Sequence, residues 1–100
     1  MNNDRLLRFL GICKRAGALV SGAETVEKTI REGKARLVLY ASDVSENSLK
    51  RVLATARERQ LPARRLSCDK DALSFALGRY CGILCTTDTG FAKKILEMME

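Results

Sequence analysis

Apolar positions fall along the chain in two rhythms, and each rhythm predicts an element. From Asp4 to Ala16, Leu6, Leu10 and Cys13 recur at helical spacing, with Leu7 and Phe9 widening the stripe and Arg5, Arg8 and Lys14 off it. Gly17 stops that helix, and Ala18 to Val20 reads as a short strand. Gly22 to Glu32 is predicted as a second helix with Ala23, Val26 and Ile30 inward and Gly33 as its terminator. Arg36 to Ala41 is a continuous apolar run, as expected of a strand buried on both faces. Ser45 can cap a third helix through Gln60, with Leu49, Val52, Leu53 and Ala56 as its core stripe, and Pro62 ends the connection. Ala63 to Cys68 is a third strand; Asp69 caps a helix from Lys70 to Leu77 that stops at Gly78. Gly82 to Thr87 is a fourth strand, and Asp88 caps a last helix, Thr89 to Met99, with Phe91, Ile95 and Met99 inward.

Strands alternating with helices place the chain in the α/β class. Two helix layers on a mixed sheet of about four strands use every apolar stripe, which predicts a three-layer α-β-α sandwich. The first strand is short enough to pair antiparallel at an edge. With 100 residues and no linker, repeat or low-complexity tract, a single domain over 1–100 is expected.

Charge narrows the function. Lysines and arginines number 18 against 12 acids, giving a net charge of +6. Most of the cations, Lys50, Arg51, Arg57 and Arg59 among them, read as the solvated faces of helices. No apolar run reaches the ~20 residues that span a bilayer, and the start MNNDRLLRFLG lacks a secretory pattern, so a cytoplasmic protein with no membrane partner is expected. Histidine is absent, which removes the commonest general base and any Ser–His or Cys–His pair. Cys13, Cys68 and Cys85 lie within apolar patterns and read as buried thiols; neither a metal site nor a cofactor is expected.

Two segments stand apart. In VSGAETVEK, Val20 to Lys28, Ser21 and Glu24 have capping-box spacing, so Ser21 is expected to cap the second helix. That helix end is a ready anion site, with Thr25 and Lys28 close by. Glu24 reads either as the capping acid paired with Lys28 or as a group offered to a partner. The second segment is Gly78-Arg79-Tyr80-Cys81-Gly82, between a helix and a strand. Its tyrosine and arginine can stack on an unpaired base, or Tyr80 can merely cover the sheet edge.

These two loops, with RAGALVSG at Arg15 to Gly22, Lys28-Thr29-Ile30, Gly33, LVLYASD at Leu37 to Asp43 and TDTGFAKK at Thr87 to Lys94, resemble the kink-turn RNA-binding ribosomal proteins. This is the superfamily of the large-subunit proteins "L seven Ae" and "L thirty e". The details are more similar to its bacterial YlxQ-type branch than to the archaeal one. The resemblance covers essentially the whole chain. It implies a non-catalytic RNA-binding protein, associated with the ribosome or another structured RNA. By position it assigns Gly22, Glu24, Thr25 and Lys28 to the groove of the RNA, Arg36 to its backbone, and Arg79, Tyr80 and Cys81 to a flipped-out nucleotide. Archaeal members carry Asn then Glu where Glu24 and Thr25 stand. The chain is expected to act as a monomer. Two rival readings use the same residues: a protein-interaction module whose basic surface only solubilises it, and a thiol enzyme built on Cys81 beside Arg79.

Overall fold

The two most apolar runs meet at the centre of one sheet. In a computed structural model, which describes residues 3–100, the elements are α1 (Asn3–Arg15), β1 (Leu19–Ser21), α2 (Ala23–Arg31), β2 (Leu37–Tyr40), α3 (Glu46–Glu58), β3 (Ala63–Arg65), α4 (Lys70–Leu77), β4 (Ile83–Thr86) and α5 (Thr89–Met99). The strand order is β1-β4-β2-β3. β4 pairs antiparallel with β1 and with β2, and β2 pairs parallel with β3, so the sheet is mixed and its short first strand is an antiparallel edge.

Side chains alternate across the two central strands and split the core into two halves. Leu37, Leu39 and Leu84 face α1, α4 and α5, where they pack with Leu10, Leu73 and Ile95. Val38, Ile83 and Cys85 face α2 and α3, where they pack with Val26, Ile30 and Val52. Both faces are covered, which is why neither strand alternates apolar with polar residues.

Local signals place most helix ends. The Asp69 carboxylate accepts from the Ala72 N–H at 2.8 Å and the Asp88 carboxylate from the Phe91 N–H at 2.8 Å, so both predicted caps form. Ser45 stands at the head of α3 but its hydroxyl caps nothing. The third strand stops at Arg65, short of the expected Cys68, because its one neighbour, β2, ends at Tyr40.

Two arginines, Arg51 within α3 and Arg59 just past its end, do more than meet solvent. Arg51 reaches the buried Glu27 carboxylate of α2 at 3.7 Å, beside Arg31 at 3.2 Å, and the Arg59 guanidinium donates to the Arg31 carbonyl at 3.0 Å. They tie the two helices of that layer together where helical periodicity alone reads a solvated face.

All four cysteines are buried and free. Burial pushes the Cys85 thiol up from 9.0 to about 12. An unfolded chain therefore ionises this thiol at a pH where the folded one keeps its proton. Stability from this source is complete below the ordinary value of 9.0 and is lost as pH rises toward about 12. Urea melts between these limits should show declining stability, with a shallower decline in Cys85→Ala; equal slopes would mean that the thiol is not held neutral.

Candidate nucleic-acid interface

The chain enters α2 by a route that the capping-box spacing does not anticipate. Ser21 is still strand, opposite Leu84 in the β1–β4 ladder, and the Gly22 N–H donates to the Ile83 carbonyl at 2.9 Å. Gly22 itself is the cap, at φ 99° and ψ 135°, a backbone region that residues with a Cβ rarely enter. No side chain caps the helix. The expected Ser21–Glu24 box is thus absent, because ladder pairing has already fixed the direction of Ser21. Its hydroxyl hydrogen-bonds the Cys81 thiol instead.

Without a cap, the N–H groups of the first turn of α2 stay open, and the helix dipole adds positive character there. Val26, Glu27, Thr29 and Ile30 turn inward, leaving Glu24, Thr25 and Lys28 together on the exposed face. Among the described residues Glu24 forms no ion pair with Lys28. The carboxylate is offered to solvent rather than used by the helix.

The 78–82 loop is pinned from within. The Cys81 N–H donates to the Ser74 hydroxyl at 2.9 Å, which in turn donates to the Cys81 carbonyl at 3.2 Å. Lys14 reaches from α1 to the Leu77 carbonyl. Cys81 is 2% exposed, so it is the anchor of the loop and not part of its outer surface, which corrects its expected place over a nucleotide. Burial raises its thiol pKa, outweighing the opposing effects of the Ser21 hydrogen bond and of Arg79. A neutral, enclosed thiol is a poor nucleophile. With Cys81 turned in, Arg79 and Tyr80 turn out, and Tyr80 is 76% exposed.

A hollow of about 170 Å³ joins the two segments. Gly22 and Ala23 form one wall and Tyr80 the other, and Ser45 and Ser48 bring in the head of α3, whose first turn is also uncapped. Its floor is tight at Gly82, where an added Cβ would meet Lys70 Cδ and Val44 Cγ2 at 3.3 Å. Lys70, held by its N–H to the Asp43 carboxylate at 2.8 Å, lines the same hollow. Two helix N-termini and Lys70 thus gather positive character around one opening, with Arg79 next to Tyr80 in the chain and Lys28 further along α2.

Of the residues singled out in the sequence, Gly22, Glu24, Thr25, Arg79 and Tyr80 lie at this end of the molecule, and Lys28 stands in the last turn of α2 on the exposed face that carries Glu24 and Thr25. Arg36 does not. Its N–H bonds to Thr86, at the far end of β4 from Ile83, and its guanidinium donates to the Gly33 carbonyl beyond the C-terminus of α2. That is about 13 Å from Gly22, the length of a nine-residue helix. Lys70 and Ser48 were missed by the sequence reading, since both sit in the first turns of helices with no distinguishing spacing. The Asp43 that ends the LVLYASD run is the nearest signal, because its carboxylate holds the Lys70 backbone.

The chain and its fold have counterparts among known proteins. The model of the ribosomal protein L7Ae/L30e/S12e/Gadd45 family matches residues 4–96. An Enterococcus faecium protein, RNA-binding protein YlxQ, is 31% identical over 99% of this chain and 95% of its own length. Its namesake in Bacillus subtilis (strain 168) is 32% identical over 92% of each. Among solved structures, a Bacillus halodurans C protein of unknown function superposes with a TM-score of 0.88 at 27% identity, over 94% of this chain and 95% of that one. The Giardia lamblia 15.5kD RNA binding protein has the same fold, with a TM-score of 0.75 at 22% identity, over 93% and 82%.

The cap geometry has a direct test. A methyl at Gly22 would meet nothing closer than Thr25 Oγ1 at 4.0 Å, so Gly22→Ala should carry only the conformational penalty of the positive φ, about 1–3 kcal/mol. Urea unfolding measures it; an unchanged midpoint would show that the helix starts in another way.

Proposed function

The chain belongs to the ribosomal protein L7Ae/L30e/S12e/Gadd45 family, and we propose that it is a non-catalytic RNA-binding protein that recognises a kink-turn or a similarly structured RNA. The observation that carries this reading is the hollow between the open head of α2 and the 79–80 loop tip. It puts an aromatic ring, free backbone donors and an exposed Glu24–Thr25–Lys28 face within reach of one ligand. Donors at the helix head and the Lys28 ammonium suit phosphates or guanine acceptors, and Glu24 and Thr25 suit exposed base amino groups. Tyr80 and Arg79 suit stacking on an unpaired base. The names of the two bacterial relatives, both RNA-binding proteins, support the same partner. Cys81 serves as a loop anchor in this reading and Arg36 lies outside the main contact.

In this reading the protein works as one domain and as a monomer in the cytoplasm, with ribosomal RNA among its candidate targets. Among the described residues no helix is long and apolar enough to cross a membrane, and no cluster of side chains could hold a metal ion. The direct experiment is an electrophoretic shift with a consensus kink-turn and with a variant whose G·A pairs are replaced. Binding of the first and not of the second is the expected result; equal affinity for both would remove kink-turn recognition.

Lys28→Ala should weaken kink-turn binding by roughly 1–3 kcal/mol in a titration at fixed salt, with circular dichroism confirming the fold. Across a salt series the wild-type log–log slope should be near about −4 to −5, from about four to six neutralised phosphates. A slope near zero would mean that the basic surface does not meet nucleic acid.

Glu24→Gln separates reading from repulsion. With no capping bond to lose, stability should stay within about 0.5 kcal/mol. Affinity should fall for the kink-turn and rise for a plain duplex, because the carboxylate accepts from bases but repels phosphates. Tighter binding to both RNAs would make Glu24 a repulsive charge only.

A further inference from the structure

A second surface lies outside this interface, on the layer that carries α1 and α4. The two helices leave between them a groove of about 720 Å³. Leu7, Gly11, Ile12, Ala72, Phe75 and Ala76 give it an apolar lining. Three large hydrophobic side chains are exposed among the described residues, and two of them, Phe75 at 92% and Ile12 at 46%, stand on this groove. The third is Tyr80. A phenylalanine left almost wholly in water contributes little to folding, and a groove beside it provides a place for it to be covered.

Gly11 strengthens the case. It sits inside α1, where glycine is less stable than alanine. A Cβ there would meet only the Ala76 carbonyl oxygen at 3.9 Å and Arg15 Nη1 at 4.0 Å, both ordinary contacts. Packing between the helices therefore does not require glycine. What the missing methyl provides is depth in the groove floor.

Charge selects the occupant. Arg8 and Arg15 line the groove about two helical turns apart on one face of α1, and Asp4 is the one acid in its lining. On the other flank of α1 a smaller hollow of about 340 Å³ shares Arg8 and Ile12 and adds Arg5 and Lys94. The groove thus sets two arginines against one acid around an apolar, helix-lined floor, and further cations lie across α1 in the second hollow. We propose that the α1–α4 groove docks an acidic amphipathic helix of a partner protein, with apolar residues at i, i+3/i+4 and i+7 against Phe75 and Ile12 and carboxylates against Arg8 and Arg15. A second copy of this chain fits less well, since it carries a net charge of +6 and brings the same arginines. A nucleic acid finds cations on the rim but no hydrogen-bonding groups on the floor for its bases.

The probe is a synthetic peptide of about sixteen residues, with leucines at helical spacing and glutamates on its other positions, titrated into the full ¹⁵N-labelled chain. A lysine-for-glutamate peptide is the control. The acidic peptide should move the amides of Gly11, Ile12, Phe75 and Ala76 and bind at least about tenfold more tightly than the basic one. Phe75→Ala, Gly11→Leu and the pair Arg8→Glu/Arg15→Glu should each weaken it about tenfold or more, with the fold intact by circular dichroism. Phe75→Ala should leave kink-turn affinity unchanged. Any of four results overturns the proposal: equal binding of both peptides, an acidic peptide indifferent to Phe75→Ala, an oligouridylate that moves the same amides, or a dimer in sedimentation equilibrium that Phe75→Ala dissolves. None of these touches the RNA reading, which stands or falls on the G·A-replaced RNA.

Discussion

β4 is hydrogen-bonded along both edges, and the rest of the molecule is arranged around that fact. Its residues Ile83–Thr86 pair with β1 on one side and β2 on the other, both antiparallel. Because neighbouring side chains point to opposite faces, Leu84 joins one half of the core while Ile83 and Cys85 join the other. Four fully buried residues in a row leave no polar face, so both helix layers are obligatory.

The same strand assembles the interface. The ladder bond from Gly22 to Ile83 ends β1 and launches α2, while the loop that leads into β4 carries Arg79 and Tyr80. The two segments, nearly 60 residues apart in sequence, become neighbours because each adjoins the same end of one strand. Ser21 and Ser74 secure the junction through Cys81, a thiol whose burial suits it to packing and not to chemistry. Rigid support of this kind lets a small loop present an aromatic ring without ordering it anew on binding.

The two helix layers have divided their tasks. On the α2–α3 side, Glu27 and its two arginines lock the helices together, and the face of α2 that carries Glu24, Thr25 and Lys28 stays exposed. On the α1–α4 side a groove runs between the helices, with Gly11, Ala72 and Ala76 in its lining. A groove-bound helix and a kink-turn would thus meet different faces of the same sheet-centred scaffold.

Much of this architecture was legible in the order of residues, because it rests on local chemistry. Helical apolar spacing placed four of the five helices, the Asp69 cap and the Gly78 stop placed the fourth in chain order, Asp88 marked the start of the last, and the run from Arg36 to Ala41 announced a strand buried on both faces. Three features belonged to the tertiary structure alone. Ser21 has the spacing of a cap, yet strand pairing claims its backbone and Cys81 its hydroxyl. Arg51 and Arg59 look solvated by period, yet α2 brings a buried carboxylate and a helix-end carbonyl within their reach. Lys70 and Ser48 carry no signal of their own and line the hollow only because α3 and α4 begin beside it. Short-range bonding and periodicity are written in neighbouring residues. Which of two possible partners a polar group takes depends on what folding brings to it from elsewhere in the chain.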